Sequence, residues 1–360
     1  MVKTTKKPAK PIRIAHIHVW DKNNKGDLGI VLAVQEQLRS AWPNSQIIDF
    51  PVEVLKKYDA RQLVRLNSAD LIVMGGGGIF YSYFLPFDKK MLAELKSPLA
   101  IYGAGYIREV GARPLSLAAR HSLLVLIKKA RWVGVRENYT KKFLVRYGAN
   151  PGKIKVIGDP ALCLSEARPP ARARAKKLSN KNSNNQNSFK LGLNLNYSGW
   201  LGFGKWRADI LAAYRETAEY FQKNYQAQIF YLKHHPGEDK IYPALKIKNL
   251  QVIDYAPHQQ KGFYAGLDLV IGMMLHSCVM AVGAGTPEIN VAYDLRNRNF
   301  ARFIDCPELV VELPELANGR LLKRAKEVVK KQIAYRRKFA VVHHRVSNRL
   351  SQFLKDIKLK

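Results

Sequence analysis

His276 lies in Gly272-Met273-Met274-Leu275-His276-Ser277, where an apolar strand pattern runs into a helical one. An imidazole at such a junction can hold a phosphate or move a proton near neutral pH, where its own charge changes. Asp27 closes Asn24-Lys25-Gly26-Asp27, between the first strand and the first helix. Gly26 permits close backbone approach, and the helix start beyond it favours anions. The Asp27 carboxylate is either a base or sugar-hydroxyl acceptor at a cleft, or a plain helix N-cap. Arg136 ends a strand pattern and can grip a carboxylate or phosphate with two parallel hydrogen bonds; the plain alternative is an ion pair at the surface. Gly75-Gly76-Gly77-Gly78 follows a buried strand, so the N–H groups of Gly76, Gly77 and Gly78 can meet a ligand. No Walker lysine pattern is present, and Gly103-Ala104-Gly105 is not a full dinucleotide fingerprint. His235, in His234-His235-Pro236, also follows a strand; it either meets a donor phosphate or ends that strand exposed.

The elements that must position these residues repeat one plan. Apolar strands are expected at Ile12–Val19, Ser45–Phe50, Ala69–Met74, Pro98–Tyr102, Trp132–Arg136 and Lys155–Ile157. Helical periodicity covers Asp27–Ala41, Leu115–Lys129 and Asn138–Tyr147. The alternation restarts at Leu191–Leu195 and continues to Glu288–Ala292, with a helix at Leu275–Gly283. This predicts an α/β fold of two Rossmann-like domains, 11–165 and 189–315, facing a central cleft, where ligands bind beyond the strands' carboxyl ends. Residues 166–188 are rich in Pro, Arg, Lys, Ser and Asn and read as a linker; 316–360 read as a basic helical region.

The formal charge of +32 over 360 residues favours anionic partners: phosphorylated substrates, an anionic membrane surface or nucleic acid. Nucleic acid is the weakest of these, since no motif interleaves aromatics with basic residues. The basic C-terminal region reads as a solvated face around an apolar stripe, with docking to an anionic membrane as the alternative. Three dispersed cysteines exclude a disulfide framework and indicate a reducing compartment. The run Ile12–Trp20 is broken by Arg13, His16 and His18, so it is neither signal peptide nor membrane span. A cytoplasmic protein is expected, with peripheral contact at the inner membrane face as an option. No cluster with metal-ligand spacing is evident, so neither metal nor cofactor is expected.

In order, Asn24–Asp27, Gly75–Phe80, Tyr102–Gly105, Val135–Glu137, Gly158–Ala161, Met274–Ser277, Gly285–Pro287 and Tyr293-Asp294 resemble the polysaccharide pyruvyl transferase family. The match runs from about Ile12 to Phe300. The resemblance implies a GT-B-like fold, phosphoenolpyruvate as donor, and a sugar hydroxyl pair as acceptor on a cell-surface polysaccharide or its lipid-linked precursor. The product would be a pyruvate ketal. By motif position it assigns roles to Asp27, Arg136, Leu275 and His276. The family usually carries arginine where this chain has Met274, and Arg296, Arg298, Lys233 or His235 are expected to compensate. On this chemistry, an imidazolium at His276 protonates the donor methylene, Asp27 activates the hydroxyl, and Arg136 with the glycine-loop N–H groups holds the phosphate. Two other readings share the architecture: a glycosyltransferase whose nucleotide sugar is held by His235 and Pro236, and a non-catalytic binder of anionic ligands.

Overall fold

Strands that read as unbroken apolar runs pair parallel, because only that arrangement buries both faces under crossover helices. The computed structural model describes residues 11–108, 112–169, 188–196 and 203–359. The basic stretch 1–10 and most of the expected linker, 170–187, lie outside the described residues.

The first sheet comprises β1 (Arg13–His18), β2 (Gln46–Pro51), β3 (Leu71–Gly75), β4 (Leu99–Ala104), β5 (Trp132–Val135) and β6 (Ile154–Val156). All pairs are parallel, in the order β2-β1-β3-β4-β5-β6. The second comprises β7 (Lys190–Asn194), β8 (Gln228–Leu232), β9 (Gln251–Ile253), β10 (Leu269–Gly272), β11 (Glu288–Ala292) and β12 (Val310–Glu312). It too is parallel throughout, in the order β12-β11-β10-β7-β8-β9. The molecule is therefore α/β, two Rossmann-like domains with a GT-B-like plan. The winding reverses between β1 and β3 in the first sheet and between β7 and β10 in the second. Such switch points leave a crevice at the strand ends.

The domains are joined by more than one chain crossing. The helix Lys25–Ala41 donates its first backbone N–H to the His234 carbonyl at 3.0 Å. Lys25 Nζ adds hydrogen bonds to the Lys233 carbonyl at 2.8 Å and Gln260 at 3.1 Å, with an ion pair to Asp254. Lys261, buried, donates to the carbonyls of Leu162 and Leu164. The helix Gln332–Lys355 then buries Phe339, Val342, Val346, Leu350 and Phe353 on one stripe. Phe353 reaches the Tyr102 ring of β4 at 5.7 Å, so the C-terminal region closes back on the first domain. Arg336 donates to the Leu267 carbonyl at 2.7 Å, which makes it a structural staple rather than part of a free basic face. No helix among the described residues is long and apolar enough to cross a membrane.

Candidate active site

Helix starts and strand ends from both switch points face one another. Asn24 caps the helix Lys25–Ala41, its side chain accepting from the N–H groups of Gly26 and Asp27 at 3.0 and 3.4 Å. This overturns the plain N-cap reading of Asp27: the capping role is filled three residues earlier. In the second domain, Asn194 at the end of β7 accepts from the Met274 N–H at 3.1 Å and fixes the start of the helix Leu275–Gly283.

Asp27, Gly78, Arg136, Met274, Leu275, His276 and Arg296 line one cleft of about 410 Å³. His276 and Gly26 touch so closely that a Cβ on Gly26 would stand 2.1 Å from His276 Nδ1. Glycine is thus required at that position by an imidazole some 250 residues away. The other ring nitrogen, Nε2, is buried without a hydrogen-bond partner among the described residues. Burial pushes the His276 pKa well below the usual value, and the positive charges of Arg136 and Arg296 push it further. In the free cleft these influences favour the neutral ring over the imidazolium, whose charge a bound donor phosphate would favour. Asp27 moves the opposite way. Burial, aided by the charge on Asp21 and only partly offset by Arg296 and Arg136, raises its carboxyl to about 7.

Arg136 is held by Glu137 at 2.6 Å and lies 3.7 Å from Asp159, all three buried. It lies flat on the backbone of Gly105, where a Cβ would come within 2.7 Å of the guanidinium carbon. This is a buried ion-pair network rather than the surface pair that was the alternative. Arg296 enters from the helix Leu295–Phe303, capped by Asp294. Its guanidinium pairs with Asp294 at 2.5 Å and donates to the Tyr293 hydroxyl at 3.0 Å. Of the four residues expected to compensate for Met274, Arg296 is the one that lines the cleft. Arg298 pairs with Glu312, and Lys233 with Asp239 and Asp254.

Three expected ligand contacts are placed elsewhere. Gly76 and Gly77 adopt φ of +72° and +74° and sit under Ile30, outside the cleft lining. The Gly76 N–H is already bonded to the Tyr102 carbonyl at 2.6 Å, so Gly76 turns the chain rather than cradling a ligand. His235 caps the short turn Pro236–Lys240, its Nδ1 accepting from the Gly237 N–H at 2.9 Å. Its neighbour His234 is buried against the Tyr264 hydroxyl at 2.8 Å, and burial followed by the charge on Lys25 pushes its pKa down to about 3. The cleft also holds residues that sequence reasoning missed, Trp20, Tyr81 and Tyr83, beside Asn24 and Tyr293 of the quoted motifs. Trp20 and Tyr83 are 45% and 66% exposed, and exposed aromatics beside a strand end are a signal the sequence did carry.

Two doubly wound parallel sheets with functional groups at both switch points define a protein of the GT-B class. Solved structures agree on the fold. A UDP-N-acetylglucosamine 2-epimerase described as putative, from Listeria monocytogenes, superposes with a TM-score of 0.54 at 14% identity, covering 92% of this chain and 91% of that one. S. aureus MnaA with UDP gives 0.57 at 12% identity, over 91% and 90%. The apo structure of OtsA gives 0.55 at 11% identity, over 96% and 98%. Comparison with curated proteins returns no match. The family model for polysaccharide pyruvyl transferase matches residues 24–294, and the chain belongs to that family of transferases.

Proposed function

We propose that this protein transfers pyruvate from phosphoenolpyruvate to two hydroxyls of a sugar on a cell-surface polysaccharide or its lipid-linked precursor. The observation that carries the reading is the pairing of two guanidiniums, Arg136 from one domain and Arg296 from the other, across a cleft that also holds His276 and Asp27. Phosphoenolpyruvate carries two anionic groups, a phosphate and a carboxylate, and each charge-assisted contact stabilises the bound state by roughly 1.5–3 kcal/mol. The nucleotide-sugar alternative needs His235 at the cleft, and His235 caps a turn outside it.

The charge states suggest the division of labour. Protonated Asp27 delivers its proton to the methylene carbon of the donor, and the adjacent carbon gains oxocarbenium character. A sugar hydroxyl attacks that carbon and gives its proton to neutral His276. Phosphate leaves, taking the proton from His276 as its bridging C–O bond breaks. A second hydroxyl then closes the ketal and returns a proton to Asp27. Donor binding tunes both groups in the needed sense: a bound dianion offsets the arginines that depress His276 and disfavours ionisation of Asp27. Trp20, Tyr81 and Tyr83 supply flat apolar faces for the acceptor ring. The site of action we infer is the cytoplasmic membrane face, reached through exposed Lys323, Lys330, Lys331 and Arg337.

The test is incubation with phosphoenolpyruvate and a panel of sugar acceptors, following phosphate release and the mass of a pyruvate ketal. His276→Ala is expected to abolish both; release at the wild-type rate would overturn the role of His276. Gly26→Ala pushes a methyl into the His276 ring. The expected result is a fall in turnover of roughly 100-fold, the cost of misplacing a reacting group by about 1 Å. Thermal unfolding checks that the fold survives. Met274→Arg restores the family's cation beside Arg296; the dissociation constant of phosphoenolpyruvate, read by calorimetry, is expected to fall about tenfold.

A further inference from the structure

His16 and His18 alternate along β1 and so point to one face of the sheet, and Asp49 is the register partner of His16 on β2. His18 Nδ1 lies 2.9 Å from the Val19 carbonyl oxygen. A carbonyl only accepts, so Nδ1 carries the hydrogen, and a neutral ring then presents a lone pair at Nε2. That lone pair faces Asp49 Oδ1 at 3.3 Å, and His16 Nδ1 faces the same oxygen at 3.5 Å. His16 is fully buried and His18 nearly so, and neither His16 nitrogen nor His18 Nε2 makes a hydrogen bond among the described residues. Two nitrogen donors and one carboxylate oxygen, all within 4.8 Å of one another, converge on one point, and Gln35 Nε2 donates to the same Asp49 oxygen at 2.8 Å.

We propose that His16, His18 and Asp49 form a three-ligand site for a divalent transition ion of the Zn²⁺ type. Metal–ligand bonds of about 2.0–2.1 Å at tetrahedral angles separate ligand atoms by about 3.3–3.4 Å. The two spacings to Asp49 meet that requirement. Two imidazoles and a carboxylate suit zinc and its neighbours rather than Mg²⁺ or Ca²⁺, which take oxygen ligands. The outer groups also fit. A ligating histidine usually donates its other N–H to a carbonyl, as His18 does to Val19, and a ligating carboxylate is itself hydrogen-bonded, as Asp49 is by Gln35 at 2.8 Å. The Asp49 side chain is 34% exposed, which provides an entry path and a place for a water as fourth ligand. The ion would tie β1 to β2 beside the cleft, and through His18 it would steady Trp20, whose ring stacks on it at 5.2 Å.

The experiment uses the full, tag-free chain, stripped with chelator and dialysed. Co²⁺ and Zn²⁺ are added separately, with visible spectra for Co²⁺ and calorimetry for Zn²⁺. A single equivalent is expected, with the intense d–d absorption of a tetrahedral cobalt site and a rise in melting temperature. Asp49→Asn and His18→Gln should each lose that equivalent, with far-UV circular dichroism and cooperative unfolding retained. Imidazole ¹⁵N shifts of the wild type give a reading independent of any variant: zinc moves the His18 Nε2 resonance without protonating it. No uptake by the wild type, or equal uptake by both variants, overturns the site and leaves a His18–Asp49 proton-shared pair.

Discussion

Replacing Asp27 by asparagine is expected to lower turnover by roughly 10²–10⁴-fold, the range for loss of a general acid or base. The same change is expected to stabilise the protein at alkaline pH. Both follow from one carboxyl held at about 7 by burial and the nearby charge of Asp21. As an acid, Asp27 works while protonated, so kcat/KM should fall as pH rises through about 7. Asp27→Asn should remove that limb from the residual rate. For stability the sign is as follows. The folded pKa lies above the unfolded one, so between about 4 and 7 the folded state holds a proton that the unfolded state has lost. Stability therefore falls with rising pH across that window and is flat above it. The full shift corresponds to at most about 4 kcal/mol, reduced by the water that reaches Asp27 through the open cleft. Asp27→Asn escapes this cost, so its melting temperature should exceed the wild type at about pH 8 and match it at about pH 4. An alkaline limb that persists in the variant would assign the limb to another group.

That a site residue costs stability fits what was and was not legible in the sequence. Central strands such as β3 were readable because they are apolar on both faces; all five residues of β3 are buried. The ends of those strands, with their glycines and polar residues, offered Asp27, Arg136 and His276 as candidates, and the ordered family motifs joined them in one site. The shorter elements were lost. The helix Leu295–Phe303 that delivers Arg296 carries three arginines and no long apolar stripe, although Asp294 in front of it is an ordinary N-cap signal. Nor could local spacing reveal contacts set by register or by domain docking. The approach of Gly26 to His276, and of His16 and His18 to Asp49, joins residues distant in the chain. His235 misled for the opposite reason. A histidine before a proline at a strand end looks the same whether it meets a phosphate or caps the next turn, and here Glu238 decides it by accepting from the N–H groups of both His234 and His235.

Arg136→Ala is expected to lose roughly 3–5 kcal/mol of folding stability, because it strands two buried carboxylates, Glu137 and Asp159. Burial already raises the Asp159 pKa, with Arg136 the main force holding it down. Without the guanidinium, Asp159 rises further and takes up a proton in the folded state. The folded pKa then exceeds the unfolded one by more than before, so the destabilisation should grow as pH rises from about 4 towards neutrality. Urea unfolding at about pH 5 and about pH 8 measures the difference; an equal loss at both would mean that the carboxylates find other partners. Arg136→Lys separates stability from ligand binding. Lysine keeps a positive charge near Asp159, so most of the fold energy should remain. A single ammonium cannot face Glu137, Asp159 and the cleft at once in the way a planar fork does. Phosphoenolpyruvate should therefore bind the lysine variant about 10- to 100-fold more weakly, with Arg296 supplying what remains of the attraction.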